Sequence, residues 1–269
     1  MLVNYHCHSI LSSDGHASMA DMARAARDAG IGLLCFTDHC DMLDGQGRPQ
    51  EVFNWDAEEA ALAEARAAVP ELELRLGVEL GCPTQDPAHA ERVLSRPGID
   101  FVLGSVHNRR GGQDYEYIRY PDVATARREM DDYLDQVLEL ARSPYYDVLG
   151  HLDYPVRYMR QQGLKLEISP EHPAVQAIFR AVIDSGRGIE CNTSGYRNGG
   201  SFTMPSRALL AAYRAAGGTR LTIGTDAHRT DHLDLGLRPS LQTLRELGFR
   251  ELTVYRDRRP AQIPLPVNE

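Results

Sequence analysis

The sequence predicts an α/β fold, a distorted (β/α)7 TIM-like barrel that forms a single domain over residues 1–269. Short apolar runs alternate with helical patterns along the chain, which indicates parallel strands joined by crossover helices. The first strand is followed by histidines, where an open doubly wound sheet would normally have a glycine-rich turn. Seven such units in a chain of this length favour a closed barrel over the open sheet.

The predicted strands are short runs rich in apolar and β-branched residues, and most of them end in polar residues. These strands are Leu2–His8, Gly32–Thr37, Glu73–Leu80, Asp100–Val106, Tyr146–His151, Gly188–Asn192 and Arg220–Thr225. The segment Glu251–Tyr255 also has a strand-like pattern, and we expect it to form an eighth, irregular element.

The predicted helices lie between these strands, and several carry sequence signals at their ends. Ser18 with Asp21 three residues later is a variant of the capping box, and Gly30 ends that helix. Pro205 and Gly217 bracket another helix. The predicted helices are Ser18–Ala29, Asp56–Val69, Asp122–Ala141, Pro173–Asp184 and Pro205–Ala216.

Composition excludes several classes of function. With 29 basic against 38 acidic residues, the chain has a formal charge of −9 and no overall positive field for nucleic acid or anionic lipid. No apolar run approaches the roughly 18 residues of a membrane helix, and the amino terminus lacks a secretion signal, so we expect a cytoplasmic protein. Lys165 is the only lysine, which excludes a Walker phosphate loop and makes Schiff-base catalysis a poor interpretation.

The five cysteines are expected to be reduced, buried residues. Their number is odd and they include no CxxC pair. Cys7 lies between two histidines, but alternation along a strand turns its side chain to the opposite face, so we expect it to pack in the core.

Histidines concentrate at the carboxyl ends of the predicted strands. One histidine alone would be interpreted as a packed core or loop residue, but six of the ten meet at one rim of a barrel, beside acidic residues. Burying so many unpaired imidazoles would be costly, and bound metal ions remove that cost. The nine candidate ligands are His6, His8, Asp14, His39, Glu79, His107, His151, Asp226 and His228.

The number of candidate ligands predicts more than one metal ion. A catalytic zinc ion uses about three protein ligands and keeps one position open for water. Nine ligands therefore suit two or three divalent transition metals, zinc, iron or manganese, with one carboxylate as a bridge. Ions about 3.5–4 Å apart are typical of phosphoester hydrolysis.

The same residues carry a resemblance to the PHP superfamily, named for polymerase and histidinol phosphatase. It spans Tyr5 to His228 and, within that superfamily, is greatest to the histidinol-phosphate phosphatases. The matching stretches are His6-Cys7-His8-Ser9, Asp14-Gly15, Asp38-His39, Glu79, Gly104-Ser105-Val106-His107, Gly150-His151-Leu152-Asp153, Arg157-Tyr158, Asn192-Thr193-Ser194-Gly195 with Arg197, and Asp226-Ala227-His228.

The resemblance implies a distorted seven-stranded barrel with three metal ions. It assigns the first ion to His6, His8, Glu79 and Asp226, and the second to Glu79 as the bridge with His107 and His151. The third ion is assigned to Asp14, His39 and His228. Many relatives have a histidine where this chain has Asp14, which leaves the metal preference of the third position open.

The implied reaction is hydrolysis of L-histidinol phosphate, a step of histidine biosynthesis, by a hydroxide held between two metal ions. Arg157 and Arg197 are expected to clamp the phosphoryl group, since guanidinium meets phosphate in bidentate geometry. Asp153, two residues beyond His151, is a candidate proton donor to the leaving alkoxide, directly or through water, and metal-bound water is an equal alternative. Tyr158 and Tyr117 complete the expected substrate-binding residues.

Several alternatives stay open at this point. The substrate is expected to be a small phosphomonoester, with no nucleic-acid or membrane partner, and the oligomeric state is not predicted. A PHP exonuclease, a phosphotyrosine-protein phosphatase, a metal-dependent amidohydrolase and a metal-binding module without turnover are the competing interpretations. The amidohydrolases commonly bridge their metals with a carboxylated lysine, whereas Lys165 lies in a polar stretch.

Overall fold

The computed structural model of the chain describes residues 1–50 and 53–266. Its strands are β1 (Leu2–Cys7), β2 (Ile31–Phe36), β3 (His39–Asp41), β4 (Glu73–Gly81), β5 (Phe101–Ser105), β6 (Val148–Leu149), β7 (Gly188–Asn192), β8 (Leu221–Gly224), β9 (Glu251–Arg256) and β10 (Arg259–Pro264). Its helices are α1 (Met19–Asp28), α2 (Trp55–Ala68), α3 (Pro87–Leu94), α4 (Val123–Arg142), α5 (Tyr154–Gln161), α6 (Pro173–Asp184), α7 (Arg207–Ala215) and α8 (Leu237–Glu246). Short 3-10 helices span Tyr115–Tyr117, Ser194–Gly199 and Thr230–His232.

Seven parallel strands form the barrel, in the order β1-β2-β4-β5-β6-β7-β8. Backbone hydrogen bonds join its two edges: the amide of Asp226 donates to the carbonyl of His6, and the amide of His8 donates to the carbonyl of Ala227, both at 2.8 Å. The barrel is distorted, because β6 has only two residues and the register of β1 shifts between Asn4 and Cys7. The predicted TIM-like barrel of seven strands is confirmed, and its single-domain organisation stays a prediction.

The short strand β3 was not predicted, and it matters for the site. It pairs in parallel with the carboxyl half of β4, so that His39 lies beside Glu79 and Asp41 lies beside Gly81. Three residues are too few for a period-2 pattern to be visible in the sequence. The consequence is that His39 is held by a strand at the rim rather than by a free loop.

The five predicted helices are confirmed, and the capping residues explain their bounds. Ser18 caps α1 by accepting a hydrogen bond from the amide of Asp21 at 3.1 Å. Helix α7 begins at Arg207, two residues later than predicted, because Ser206 is the capping residue and Pro205 precedes it. Three helices, α3, α5 and α8, were not predicted; each has only eight to ten residues.

The hairpin of β9 and β10 closes the amino-terminal end of the barrel. The amide of Tyr255 donates to the hydroxyl of Tyr5 at 2.8 Å, and the amide of Arg258 donates to the carbonyl of Asp100 at 3.0 Å. Asp100 immediately precedes β5, which places the hairpin at the opposite end from the strand carboxyl termini. The predicted strand at Glu251–Tyr255 is therefore present, but in a separate antiparallel sheet.

The cysteines match the expectation of buried, reduced residues. All five cysteines are buried free thiols, and Cys7 packs in the main hydrophobic core with its Sγ 3.4 Å from the carbonyl of Cys35. Within the described part of the chain, none of the helices has the length and apolar character needed to cross a membrane.

Candidate metal centre

Glu79 is the centre of the candidate site and is completely buried. It lies in the carboxyl half of β4, and its two carboxylate oxygens face different partners. Oε1 lies 2.9 Å from Nε2 of His151 and 3.2 Å from Nε2 of His107. The hydroxyl of Ser105 also donates to Oε1, at 2.6 Å. One side of the cluster is therefore built on the ends of β5 and β6.

The other oxygen of Glu79 faces the histidines at the carboxyl end of β1 and on β3. Oε2 lies 3.0 Å from Nδ1 of His39, 3.2 Å from Nε2 of His6 and 3.5 Å from Nε2 of His8. Both oxygens thus have imidazole neighbours, which is the arrangement expected of a carboxylate shared between two cations. Glu79 is the predicted bridging ligand, and its position fits that role.

Asp226 and Asp14 extend the cluster toward the rim. Asp226 Oδ1 lies 3.5 Å from Nε2 of His8 and 3.5 Å from Nδ1 of His228. The oxygens of Asp14 lie 2.9 Å from Nε2 of His228 and 3.7 Å from Nε2 of His39. All nine predicted ligands therefore meet in one cluster, although residues in contact are separated by up to about 220 positions of sequence.

The donor geometry fits metal binding better than hydrogen bonding. Nε2 of His6 and Nε2 of His8 lie 3.0 Å apart and face each other, so their lone pairs repel unless a proton or a cation lies between them. Nδ1 of His39 and Nε2 of His228 are buried and have no partner with hydrogen-bond geometry among residues 1–50 and 53–266. Three sets of donor atoms within 4.8 Å of one another could each hold an ion: His6, His8 and Glu79; His39, Glu79 and His107; and His8, His39 and His228.

Charges in the cluster shift its pKa values strongly. Burial alone would raise the pKa of Glu79, but the neighbouring imidazoles of His6 and His107 outweigh it and hold that pKa well below its usual range. Burial, together with the imidazoles of His228 and His39, lowers the pKa of His8. Against the effect of burial, the neighbouring carboxylates in turn raise the pKa of His6 and His107, so metal binding at these imidazoles would displace protons, because neutral imidazole is the form that binds metal ions.

Two carboxylates that the sequence did not single out hold ligand histidines in place. Glu190 Oε1 lies 2.7 Å from Nδ1 of His6, and Asp41 Oδ1 lies 2.7 Å from Nδ1 of His107. In both imidazoles this leaves Nε2 to face the cluster, which is the usual role of a carboxylate behind a metal-bound histidine. An acid in the middle of the apolar strand Gly188–Asn192 was the signal that could have identified Glu190.

Another buried acid, Asp38 between β2 and β3, supports His8 through two serines of the loop after β1. Asp38 Oδ1 accepts a hydrogen bond from the hydroxyl of Ser12 at 2.6 Å, and its Oδ2 accepts one from the hydroxyl of Ser9 at 2.7 Å. The hydroxyl of Ser12 lies 3.2 Å from Nδ1 of His8. This network fixes the orientation of the His8 ring, although Asp38, Ser9 and Ser12 are not predicted ligands.

Both predicted clamp arginines reach the cluster. Arg157, on α5, places Nη1 3.6 Å from Oδ2 of Asp226, and Arg197 places Nη2 3.7 Å from Oδ1 of the same residue. The hydroxyl of Ser194 accepts from Arg157 at 3.0 Å. Among the described residues, neither arginine has a hydrogen-bond partner for its buried Nε atom.

A cavity of about 860 Å³ opens over the cluster and is lined by both acidic and basic side chains. Its acidic lining residues include Asp14, Asp41, Asp44, Asp114 and Glu116, and its basic ones include Arg157, Arg160 and Arg197. Aromatic side chains complete the wall: Tyr117, Tyr154, Tyr158 and Phe202.

The predicted tyrosines lie at different depths of this cavity. Tyr117 is 54% exposed and lies at the mouth, whereas Tyr158 is buried and accepts a hydrogen bond from Arg157 at 2.8 Å. Sequence reasoning missed Tyr154, whose ring centroid is 4.8 Å from that of His151 and whose hydroxyl lies 3.0 Å from that of Tyr158. Tyr158 therefore positions Arg157, and Tyr154 covers the histidine side of the cluster.

The prediction that Asp153 shares a face with His151 is wrong. Its carboxylate turns toward the start of α7, where Oδ2 accepts a hydrogen bond from the amide of Ser206 at 2.9 Å. It does not line the cavity, because α5 begins at the next residue and the chain bends there, so that strand alternation no longer applies. Burial raises the pKa of Asp153 to about 7.

Comparison with known proteins identifies the family. The PHP domain model matches residues 4–194 of this chain. Two proteins named probable histidinol-phosphatase are similar over most of both chains: that of Deinococcus radiodurans is 27% identical over 96% of this chain and 98% of its own, and that of Thermotoga maritima is 25% identical over 94% and 95%.

A solved structure shares the fold. It is that of histidinol phosphate phosphatase from Lactococcus lactis complexed with zinc, L-histidinol and phosphate, with a TM-score of 0.79 and 21% identity over 97% of this chain and 98% of that one. The family model covers well over half of the chain, and the protein therefore belongs to the PHP domain family.

Proposed function

We propose that this protein is a metal-dependent phosphomonoesterase that hydrolyses L-histidinol phosphate to L-histidinol and phosphate. The observation that carries the proposal is the pairing of a buried histidine–carboxylate cluster with two arginines that flank Asp226. Relatives named histidinol-phosphatase, similar over nearly their full lengths, support the choice of substrate.

The residues would hold two or three divalent metal ions, zinc, iron or manganese, with Glu79 shared between two of them. Bound ions supply a Lewis acid that lowers the pKa of water and neutralises charge on the phosphoryl oxygens. Asp14, His39 and His228 form the outermost set, and the two oxygens of Asp14 face one nitrogen of each histidine. Zinc in the Lactococcus lactis structure supports zinc as one of the metals.

Arg157 and Arg197 bind and orient the phosphoryl group in this proposal. Their Nη atoms lie on either side of Asp226, so a phosphoryl group beside that carboxylate receives hydrogen bonds from both guanidiniums. Because both side chains are largely buried, these charge-assisted bonds are strong and the position of the phosphorus is fixed. The predicted role of Asp153 as proton donor to the leaving alkoxide stays a prediction, and the hydrogen bond that its Oδ2 accepts from the amide of Ser206 argues against it.

The acidic lining residues of the cavity favour a substrate with a cationic organic part. Burial, together with the neighbouring carboxylate of Asp114, raises the pKa of Glu116, which shows that two acids compete for limited solvation there. A cationic amine or imidazolium group relieves that repulsion, whereas a second anionic group adds to it. L-Histidinol phosphate carries such cationic groups at the end remote from the phosphate.

The protein's only lysine argues against the amidohydrolase alternative. Lys165 is exposed and does not line the cavity, so it cannot supply a carboxylated lysine as a metal bridge. The acidic lining residues of the cavity also disfavour the binding of a polyanionic oligonucleotide. We further propose a cytoplasmic location, which the five free thiols support.

A substrate panel tests the proposal. Phosphate release is measured from L-histidinol phosphate, p-nitrophenyl phosphate, a phosphotyrosyl peptide and a short oligonucleotide, with metal content determined on the same preparation. We expect the highest kcat/KM for L-histidinol phosphate. Preference for the peptide or the oligonucleotide would replace the proposed substrate, and absence of turnover from fully metal-loaded protein would refute the enzymatic function.

Two variants sharpen the panel. Glu116→Gln is expected to raise KM for L-histidinol phosphate about tenfold, since it removes one charge-assisted contact, while KM for p-nitrophenyl phosphate stays near that of the wild type. Glu246→Gln is the matched control, because that carboxylate forms an exposed ion pair with Arg207 away from the cavity.

A further inference from the structure

The mouth of the cavity has one wall built from two loops, residues 41–50 and 108–117, which we call the wall loops. The side-chain amide of Asn108 donates to the carbonyls of Asp44 at 2.8 Å and Gly112 at 3.1 Å. The amide of Asp114 donates to the carbonyl of Gly45 at 3.2 Å. The wall loops therefore form one unit, and His107 of the metal cluster directly precedes the second of them.

We infer that Gly45 is a positioning residue for Tyr117 and thereby selects phosphomonoesters with an aromatic organic part. The absence of a side chain at Gly45 lets the Tyr117 ring lie directly against the backbone of the first wall loop. The ring then covers the mouth of the cavity and offers a flat surface to the group attached to phosphate. The inference rests on the proposed phosphomonoesterase function.

The contact between the two residues is too close for any other amino acid at position 45. A Cβ atom added to Gly45 would lie 2.7 Å from Cε2 of the Tyr117 ring, 3.5 Å from Cδ2 and 3.6 Å from Cζ. Carbon atoms that are not bonded to each other pack at about 3.5–4.0 Å, so the ring and a new Cβ would overlap. An alanine at this position must displace the ring.

Backbone conformation does not explain the glycine. Gly47 in the same loop has a φ of +81°, which favours glycine, but the φ of Gly45 is outside the left-handed region. Alanine can therefore adopt the backbone of residue 45 without strain. Contact with the Tyr117 ring is the constraint that remains.

The ring is the part that will move. Tyr117 is 54% exposed, so its side chain can rotate toward solvent, whereas the loop backbone is held by the hydrogen bonds of Asn108 and Asp114. Gly45→Ala should consequently leave the fold and the metal cluster intact and remove the ring from the mouth. The expected loss is in substrate selection rather than in stability.

The first experiment compares substrates that differ in their organic part. For Gly45→Ala we expect KM for L-histidinol phosphate and p-nitrophenyl phosphate to rise about three- to tenfold, the range of a lost aromatic contact. The kcat values, the kcat/KM for ethyl phosphate and the inhibition constant of inorganic phosphate should stay at wild-type values. An equal fall for ethyl phosphate, or a loss of bound metal, would overturn the inference.

The matched control is Gly111→Asn, in the second wall loop. Gly111 is exposed, has no atom within 4 Å of an added Cβ, and has a φ of +60°, which asparagine tolerates. This variant adds a side chain to the same wall without reaching the ring. Its kinetics should match those of the wild type, and a KM shift equal to that of Gly45→Ala would attribute the effect to the loops in general.

A double-mutant cycle isolates the contact with the ring. In a Tyr117→Ala background, Gly45→Ala has no ring to displace, so the second substitution should leave KM unchanged. An undiminished effect in that background would refute the positioning role. If p-nitrophenyl phosphate is hydrolysed but L-histidinol phosphate is not, the proposed substrate fails, and the comparison with ethyl phosphate still tests the role of Gly45.

Discussion

Substitution of Glu190 by glutamine should damage the metal centre without touching a predicted ligand. Glu190 is buried, and its Oε2 accepts hydrogen bonds from the amide of His151 at 2.9 Å and from the side chain of Asn192 at 3.2 Å. Its Oε1 lies 2.7 Å from Nδ1 of His6. With two donors fixed on one side, the glutamine oxygen is required there and its NH₂ group must face His6.

The consequence is a change of tautomer at His6. An NH₂ group donates, so Nδ1 of His6 must become the acceptor and the ring proton moves to Nε2, the nitrogen that faces the cluster. Loss of a carboxylate behind a ligand histidine typically weakens metal affinity about 10- to 100-fold, which corresponds to about 1.4–2.8 kcal/mol. The cost of an unsatisfied buried donor, about 1–3 kcal/mol, has the same magnitude.

The assay is metal affinity measured by competition with chelators of graded strength. We expect Glu190→Gln to bind at least one ion about 10- to 100-fold more weakly than the wild type, and kcat/KM at limiting metal to fall in parallel. The control is Glu246→Gln, the same substitution at an exposed carboxylate, and its metal affinity should equal that of the wild type. Wild-type affinity in Glu190→Gln would refute the tautomer argument.

Four further outcomes are expected. Arg197→Ala should raise KM for phosphomonoesters about 10-fold or more with metal content unchanged, and unchanged kinetics would remove Arg197 from the clamp. Asp153→Asn should keep kcat within about threefold of the wild type, since its carboxylate faces Ser206; complete loss of turnover would place it at the substrate. Chelation should lower the free energy of unfolding by about 4 kcal/mol if the free metal concentration was a thousandfold above its Kd, and Tm should fall with it. An unchanged Tm would contradict metal binding in the core. Burial and Asp38 raise the pKa of Glu58 to about 9, so the free energy of unfolding should fall between pH 4.5 and 9, where the folded state keeps a proton that the unfolded state releases. Glu58→Gln should abolish this fall, by up to about 1.4 kcal/mol per pH unit in denaturant titrations, and parallel pH profiles of the two proteins would contradict it.

The sequence was sufficient to predict the barrel because its signals are periodic and repeated. Each of the seven barrel strands is an apolar run, and parallel strands necessarily bring their carboxyl ends to one rim, so nine dispersed residues could be assigned to a single cluster. The elements that were missed are short ones, such as β3, whose three residues carry no recognisable period.

The remaining parts of the site could not be predicted because they depend on how irregular segments turn. Asp153 lies between the end of β6 at Leu149 and the start of α5 at Tyr154, and the bend of the chain there turns its carboxylate toward Ser206. Glu190 and Asp41 act through histidines from other strands, and Gly45 acts through a residue of another loop. Such relationships are set by tertiary contacts, and of these three residues only Glu190 leaves a local signal, as an acid within an apolar strand.

The hairpin at the closed end of the barrel contacts the strand that carries the first histidines of the cluster. Tyr5 exchanges hydrogen bonds with the backbone of Tyr255, and the next residue along β1 is His6, whose imidazole faces Glu79. The shift of register between Asn4 and Cys7 lies at this step. We therefore expect that deleting the hairpin of β9 and β10, or appending a tag to it, changes the position of Tyr5 and with it the position of the His6 imidazole relative to Glu79.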